Sequence, residues 1–595
     1  MIASIFFIYR QASTMLCAPT QADGVPIGNA PNCRRQSSNP RTISRTWSKV
    51  SGVCGRRPCL QRSRTVHRAQ NMCICEDVVV SIREDRILSH AVLACEQMAH
   101  ADRWTIENAQ IPGTTLMENA GAAVARAVLE RFGHARRALV LCGPGNNGGD
   151  GYVAARILQE SGMSVTAYAF GTPRGGTDAA IARSRYSGAV EPPEEFEPSR
   201  DDVVVDAIFG AGLTRDLPER VLVALHKARS ATCPVVAVDL PSGVNGDSGA
   251  DLGGALTADV TVTFFRKKPG HLLFPGRQAC GEVVVADIGV RAEALAAKPP
   301  VIFENVPQLW GPVLPKPDAT WHKYSRGHAA VFSGGKHATG AARLAALAAQ
   351  RTGAGAVTIL GQPDALDIHA AHLTSIMLRP CAPDDSYDRL GELKGCRACV
   401  LGPGFGDFTT ARRLALSILQ EADRTGLRLV LDADGITAFA SESKALFDVA
   451  HAVVGQALVL TPHEGEFGRL FPDLAEDRSL SKVDKAVAAA ARANAVVLYK
   501  GPDTVVAAPD GRAAINTNAT SSLATAGSGD VLSGVIGGLV AQGLPLWEAA
   551  CAAAWLHGEA GGAAGPLAVA EDIVARIPVA FGLLNQGRDT RAPWP

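Results

Sequence analysis

LCGPGNNGGDGYVAARIL, residues 141–158, runs from an apolar strand end through a glycine-rich turn into an alanine-rich helix. That order decides the fold class. A strand that turns through glycine into a helix is the unit of a layered α/β protein with a mostly parallel sheet. Gly143, Gly145 and Gly148 spell GxGxxG. A dinucleotide-binding fold would also place an acid about 20 residues on, at the end of the next strand. That strand, read over residues 164–170, has none, and no Walker lysine follows the glycines. Hydride-transfer and P-loop readings both lose ground. An anion cradle survives: glycines let backbone amides approach closely, and a helix expected to start near Gly151 turns its positive end toward the turn. Asn146, Asn147 and Asp150 add polar side chains beyond a turn's needs, with self-capping by Asn and Asp as the alternative.

The same pattern extends in both directions. Strands are expected at 138–142, 203–209, 235–240 and 260–265, and again at 329–333, 356–360, 398–401, 427–432, 458–461 and 496–500. Between the two sets, Pro299, Pro300, Pro307, Pro312, Pro315 and Pro317 exclude a long helix. The expected layout is a first domain over 85–300, a Pro-rich linker over 301–319 and a second domain over 320–590. With 595 residues and 47% hydrophobic content, more than one core is expected.

Formal net charge is zero, which gives no footing for nucleic acid or an anionic membrane surface. No apolar run reaches the roughly 18 residues of a membrane helix. Residues 1–71 hold 11 Lys and Arg against one acid, Asp23. Residues 1–84 are therefore set apart as a basic extension, either disordered or preceding the true start, with Met72 and Met98 as alternative starts. Six of the 14 cysteines precede residue 80 and the rest are scattered. The lone CxxC at Cys396 and Cys399 reads as a strand opening with small residues, not as a zinc site. Scattered thiols suit a reducing compartment, so a cytoplasmic homo-oligomer acting on small molecules is expected.

Two further strand ends of the first half carry acids. Asp206 lies in VVVDAIFGAGLTRD (203–216) and Asp239 in VAVDLPSGVNGDSG (236–249), the latter followed by Ser242 and Asn245. A carboxylate in such an apolar run is costly to bury unpaired. An N-cap or an ion pair explains either alone, whereas both at one sheet edge favour a shared site. MENAG (117–121), GPGNNGGDGYVAAR (143–156), DAIFGAGL (206–213), DLPSGVNGD (239–247) and FFRKKPGHL (264–272) together resemble the NAD(P)H-hydrate epimerases over about 200 residues. The resemblance implies a Rossmann-like three-layer domain. It implies hydrate binding by Asn146, Asn147, Gly148, Gly149 and Asp150, and by Gly210, Ala211, Gly212, Leu213, Thr214, Arg215 and Asp216. It also implies a potassium ion held by Asn147, Asp206 and Ser242, an oxygen set suited to a hard cation. Asp239 would touch the hydrate and do acid–base work, since a hydroxyl is exchanged between the faces of a reduced ring.

In the second half, VFSGGKHATGAARLAALAA (331–349) places Ala341 near a glycine turn, and LGPGFG (401–406) is another loop of close backbone approach. His463 sits in TPHEGEF (461–467), where a capping role is the plain alternative. In ATAGSGDVLSGVIGGLVAQG (524–543), Gly527, Ser528 and Gly529 form an amide nest at a helix start with Asp530 at its mouth. An Asp N-cap is the competing reading. YKGPDTVVAAPDG (499–511) sets Lys500 at a strand end, poised for phosphates or merely solvated. With HKYSRGHAAVFSGG (322–335), LDADGI (431–436) and AGSGDVLSG (526–534), these motifs resemble the NAD(P)H-hydrate dehydratases over about 260 residues.

That resemblance implies a ribokinase-like domain. Ala341, Gly406, His463 and Asp530 would contact the hydrate. Lys500, Gly501, Pro502, Asp503, Thr504 and Gly529 would contact ADP or ATP with magnesium, ADP being favoured. Asp530 would take the hydroxyl proton during phosphorylation, after which the ring nitrogen expels phosphate. Two rivals stand beside this reading. One is a sugar or vitamin kinase with an inert first domain, opposed by TPHEGEF, HKYSRGH and the whole first half. The other is a cofactor-sensing scaffold, disfavoured by the presence of both Asp239 and Asp530.

Overall fold

Runs of Val, Ala and Leu form the strands, and most are buried on both faces, as in a sheet covered by helices on each side. The computed structural model describes residues 87–316, 319–381 and 390–584. The expected basic extension over 1–84 lies outside them. The described residues fall in one compact unit, which contains two sheets.

The first sheet has seven parallel strands: β1 (Ala138–Cys142), β2 (Val165–Ala169), β3 (Ala189–Glu191), β4 (Val203–Ala207), β5 (Val235–Val238), β6 (Val260–Phe264) and β7 (Glu282–Ala286). Their order is β3-β2-β1-β4-β5-β6-β7. Helices Gly113–Phe132 and Asn146–Glu160 cover one face through Val124, Val153, Val140 and Val205. Helix Glu219–Ala231 covers the other through Val221, Leu225, Leu139 and Val204. The order reverses between β1 and β4, the switch point where open α/β sheets bind ligands. The helix expected to start near Gly151 starts at Asn146 instead. Asn146 to Asp150 are thus its first turn, because Gly148 and Gly149 have no side chains to keep the chain off the strand.

The second sheet has ten strands: β8 (Ile302–Glu304), β9 (His328–Phe332), β10 (Ala356–Gly361), β11 (Met377–Pro380), β12 (Cys396–Leu401), β13 (Arg428–Leu431), β14 (Leu458–Leu460), β15 (Val496–Tyr499), β16 (Val505–Ala507) and β17 (Ala513–Ile515). Their order is β11-β10-β9-β12-β13-β14-β15-β16-β17-β8. Only the β15–β16 and β16–β17 pairs are antiparallel. Helices Thr339–Arg351, Ser528–Ala541 and Leu546–Ala564 pack one face, and Phe408–Gln420, Ser443–Ala452 and Lys482–Ala493 the other. Cys396 opens β12, Cys399 is buried on it, and both are free thiols.

The segment expected to be a linker over 301–319 is partly sheet. Ile302–Glu304 pairs with β17, and Trp310 is fully buried. Pro307 does not break this arrangement because it opens a short helix, where no amide is needed. Asn305 fixes the segment. Its amide donates to Asn516 Oδ1 at 2.9 Å and Cys551 O at 2.8 Å, and it accepts from Trp310 Nε1 at 3.2 Å. Residues 90–93 join the two sheets: Val92 N donates to Ile302 O, Leu93 N to Lys267 O, and Glu304 N to His90 O.

Asn305→Leu would leave the Trp310 indole N–H and the Asn516 side-chain oxygen buried without a partner and would remove one donor from the Cys551 carbonyl. Thermal or urea unfolding of this variant should show the second domain destabilised by about 3 kcal/mol.

Candidate functional site

A cavity of about 540 Å³ opens at the carboxyl ends of β1, β4 and β5. Asn146, Asn147 and Asp150 line it from the helix start, Gly210 to Arg215 from the loop after β4, Asp239 from the end of β5 and Lys268 from the loop after β6. The helix reaches the sheet because Gly148 has no side chain: a Cβ there would stand 1.9 Å from Gly143 O. Gly148 and Gly149 are buried and do not line the cavity, while Asp216 is exposed and outside it. A Cβ on Gly210 would lie 2.8 Å from Asn147 Oδ1 and 3.1 Å from Asp239 Oδ2, so these two side chains converge on bare backbone.

Asp206 and Ser242 lie beneath the cavity, both fully buried. Ser242 Oγ donates to Asp206 Oδ1 at 2.6 Å, and Ser242 N to Asp206 Oδ2 at 2.8 Å. Burial pushes the Asp206 carboxyl above its usual range, against these hydrogen bonds. The Asn147 amide nitrogen is buried without a partner. Among the described residues no cluster of three His, Cys, Asp or Glu could hold a metal ion.

Asp239 sits at φ 63°, a left-handed conformation uncommon outside glycine. Lys268, 2% exposed, meets Asp239 Oδ1 at 2.6 Å. Thr263 Oγ1 donates to the same oxygen at 2.9 Å, and Ala211 N donates to Oδ2 at 3.1 Å. Burial works to raise this carboxyl, but the Lys268 ammonium and these donors hold it at about 2. His271 is kept neutral by burial, at about 4. It accepts from Lys268 N at 2.9 Å and bonds Asp239 O at 2.7 Å, fixing both ends of the pair. A carboxylate held this low is a fixed charge and a poor proton carrier. Held ionised, Asp239 has no proton to give at neutral pH.

The second cavity, about 1120 Å³, lies at the corresponding edge of the second sheet. Lys500, Gly501, Pro502, Thr504, Ser528 and Gly529 line it, together with His463. Gly527, at φ 87°, turns the chain into helix Ser528–Ala541, whose first amides have no intrahelical partner. Lys500 Nζ lies 2.8 Å from Asp432 Oδ1 and 3.6 Å from Glu466 Oε2. Burial alone would lower this ammonium, but the two carboxylates outweigh it and the net shift is upward. Asp530 is half-buried, and burial with the nearby Asp432 raises it to about 6.

Gly406 N donates to Asp434 Oδ2 at 3.0 Å, and Asp434 acts electrostatically on Asp530. A Cβ on Gly404 would touch Ala341. Ala341, Gly406 and Asp530 do not line the second cavity. His463, expected with them, caps helix Glu464–Leu470 through Nδ1 and borders the cavity on the Lys500 side. Asp503 does not line the cavity: its carboxylate binds Lys482 at 2.6 Å and accepts from Phe274 N at 2.9 Å.

Phe274, Arg277 and Gln278 of the first domain also wall this second cavity. Arg277 donates to Pro502 O and Thr517 O, and its guanidinium lies 5.6 Å from the Phe274 ring centroid.

A family model described as NAD(P)H-hydrate dehydratase matches residues 329–571, and one described as YjeF-related protein N-terminus matches 113–270. A bifunctional NAD(P)H-hydrate repair enzyme of Salinibacter ruber is 36% identical over 542 residues, covering 84% of this chain and 98% of that protein. The chain belongs to the bifunctional NAD(P)H-hydrate repair enzymes. A second member, from Thermofilum pendens, is 36% identical across 77% of this chain and 89% of its own length. The crystal structure of a Bacillus subtilis ADP/ATP-dependent NAD(P)H-hydrate dehydratase, co-crystallised with ATP and magnesium, is 27% identical over 45% of this chain and 94% of that one, with a TM-score of 0.38. The two domains, each built on its own α/β sheet, are thus an epimerase domain and a dehydratase domain.

Sequence reasoning missed Lys268, His271 and Arg277, and also Asp102, which lines the first cavity. Lys268 and His271 stand inside FFRKKPGHL, where three basic residues and a histidine directly after an apolar strand were an available signal. Arg277 had none, because its role depends on how the domains meet. Arg277→Ala should raise the KM for the dehydratase's nucleotide by about ten- to a hundredfold, the scale of one charged hydrogen bond. Epimerisation should be unaffected, and separate assays of the two reactions check both.

Proposed function

We propose that this repair enzyme restores hydrated NADH and NADPH. The first cavity interconverts the R and S hydrates, and the second dehydrates the S form at the expense of ADP or ATP, with ADP as our preferred donor. One observation supports the reading: two cavities, one around Asp239 and Lys268 and one around Lys500 and the opening of helix Ser528–Ala541, lie beyond the carboxyl ends of strands in the two sheets of a single chain.

At the second site Asp530 is ionised at neutral pH and can take the hydrate's hydroxyl proton as phosphate is transferred. The amides opening helix Ser528–Ala541 and the Lys500 ammonium stabilise charge on the moving phosphoryl group. Magnesium arrives with the nucleotide. Phosphate then leaves as the ring nitrogen donates its electron pair, and the reduced nicotinamide returns.

The residues beneath the first cavity fit potassium. One carboxylate, one hydroxyl, one amide and the Phe209 carbonyl, 3.3 Å from Ser242 Oγ, make an oxygen set of single negative charge. Asn147, Asp206 and Ser242 would hold the ion, which would supply fixed positive charge beside the hydrate cradle. Free thiols throughout the described residues support our reading of a reducing, cytoplasmic setting, and no described helix is long and apolar enough to cross a membrane.

The decisive assay mixes purified protein with both NADH-hydrate epimers and follows recovery of reduced-nicotinamide absorbance, first with ADP and magnesium, then with ATP. Full recovery is expected. A plateau at the fraction of one epimer would count against the epimerase half, and no recovery with either nucleotide against the dehydratase half. Asp530→Asn should lower dehydration by about 10²–10⁴-fold while nucleotide binding persists. Since the ionised form of Asp530 is the active one, dehydration should rise with pH through about 6.

A further inference from the structure

Helix Cys95–Asn108 buries Met98, Ala101 and Thr105 against the first domain. Asp102 follows Ala101, so the packed turn also carries a carboxyl to the wall of the first cavity, where it lines the same space as Asp239, Asp150 and Lys268. Its Oδ1 is buried and makes no hydrogen bond. A buried carboxyl oxygen without a partner is costly. The groups acting on it are Lys268 and Asp239 from the strand ends, Asp150 from helix Asn146–Glu160, and Arg103 on its own helix.

We propose that Asp102 is the general acid of epimerisation, giving its proton to the hydroxyl that leaves the hydrate ring, while Asp239 remains ionised and faces the cation formed on that ring. This inference rests on the hydrate-repair reading above. The bond between the hydroxyl and the ring carbon next to nitrogen breaks as the Asp102 proton passes to the oxygen. The nitrogen lone pair forms the carbon–nitrogen double bond, and water departs. A water molecule then adds to the opposite face, the electron pair returns to nitrogen, and the released proton returns to Asp102 through solvent in the cavity. Nothing is consumed.

The three carboxyls differ in the way this chemistry needs. Asp239 is ion-paired and held at about 2, so it carries no proton to give. Asp150 is pushed well above the carboxyl range, first by burial and then by Asp239 and Asp102, so it releases its proton reluctantly. Burial raises Asp102 to about 6, against the pull of Lys268, where it can both give and regain a proton.

The test follows interconversion of purified R-hydrate into S-hydrate by chromatography, without nucleotide, so that the dehydratase is silent. Asp102→Asn is expected to lower kcat by about 10²–10⁴-fold with KM changed only a few-fold. Wild-type epimerisation should fall as pH rises above about 6, where Asp102 loses its proton. The residual rate of the variant should follow the uncatalysed reaction. The variant should keep the wild-type midpoint of thermal unfolding and dehydrate S-hydrate with ADP at the wild-type rate.

An Asp102→Asn protein that epimerises within a few-fold of wild type, or loses activity only through KM, would overturn the inference. So would an Asp150→Asn protein that alone removes the fall above pH 6. Wild-type protein that leaves R-hydrate unchanged would overturn this inference and the reading beneath it.

Discussion

The ion pair between Lys268 and Asp239, 2.6 Å apart with the lysine almost fully buried, is the constraint on which the first site depends. A buried charge is tolerated only with a partner and hydrogen bonds, and removing either member leaves the other uncompensated. Thr263, Ala211 and His271 complete the set, binding the ends of β5 and β6 and the loop after β4 into one frame. The left-handed backbone of Asp239 belongs to the same arrangement: strain of this kind persists where the surroundings over-determine it. With one carboxylate held ionised, burial leaves the neighbouring Asp102 and Asp150 carboxyls protonated more readily than usual.

The second site uses the same physics for different chemistry. Lys500 is buried between Asp432 and Glu466, and the charge kept there stands beside the opening of a glycine-started helix. Asp530 lies next to this cluster and is raised into the range of a usable base. The first site forms where β1 and β4 part in opposite directions, since there the loops leave a crevice between them, whereas the second cavity lies beyond the ends of β14 and β15 and beside the β16–β17 hairpin.

The domains are not merely tethered. Residues 90–93 donate to and accept from both sheets, Lys267 meets Glu304 at 2.8 Å, and Phe274 and Arg277 extend the first domain into the wall of the second cavity. The second cavity is therefore built by residues of both domains. Fusion of the two halves has a structural consequence beyond keeping two reactions close together.

Much of this was legible in the residues. Apolar runs marked eleven of the seventeen strands to within two residues because strands buried on both faces admit little else, whereas the short or part-exposed β3, β7, β8, β11, β16 and β17 were not anticipated. Gly143 and Gly148 marked a close approach of backbone to backbone, and Asp206, Asp239 and Asp530 stood out as acids in settings that burial penalises. Such local chemistry is written in the chain. The sequence could not decide which groups share a space. Asn305 looks like linker until Asn516 and Cys551, more than two hundred residues away, close around it. Asp503 looks like a nucleotide ligand until Lys482 and the Phe274 amide claim its carboxylate. Asp102 looks like one more acid on a helix until Lys268, Asp239 and Asp150 surround the same cavity. Burial and the field of neighbouring charges set protonation, and both come from residues distant in sequence, so tertiary structure alone assigned the proton.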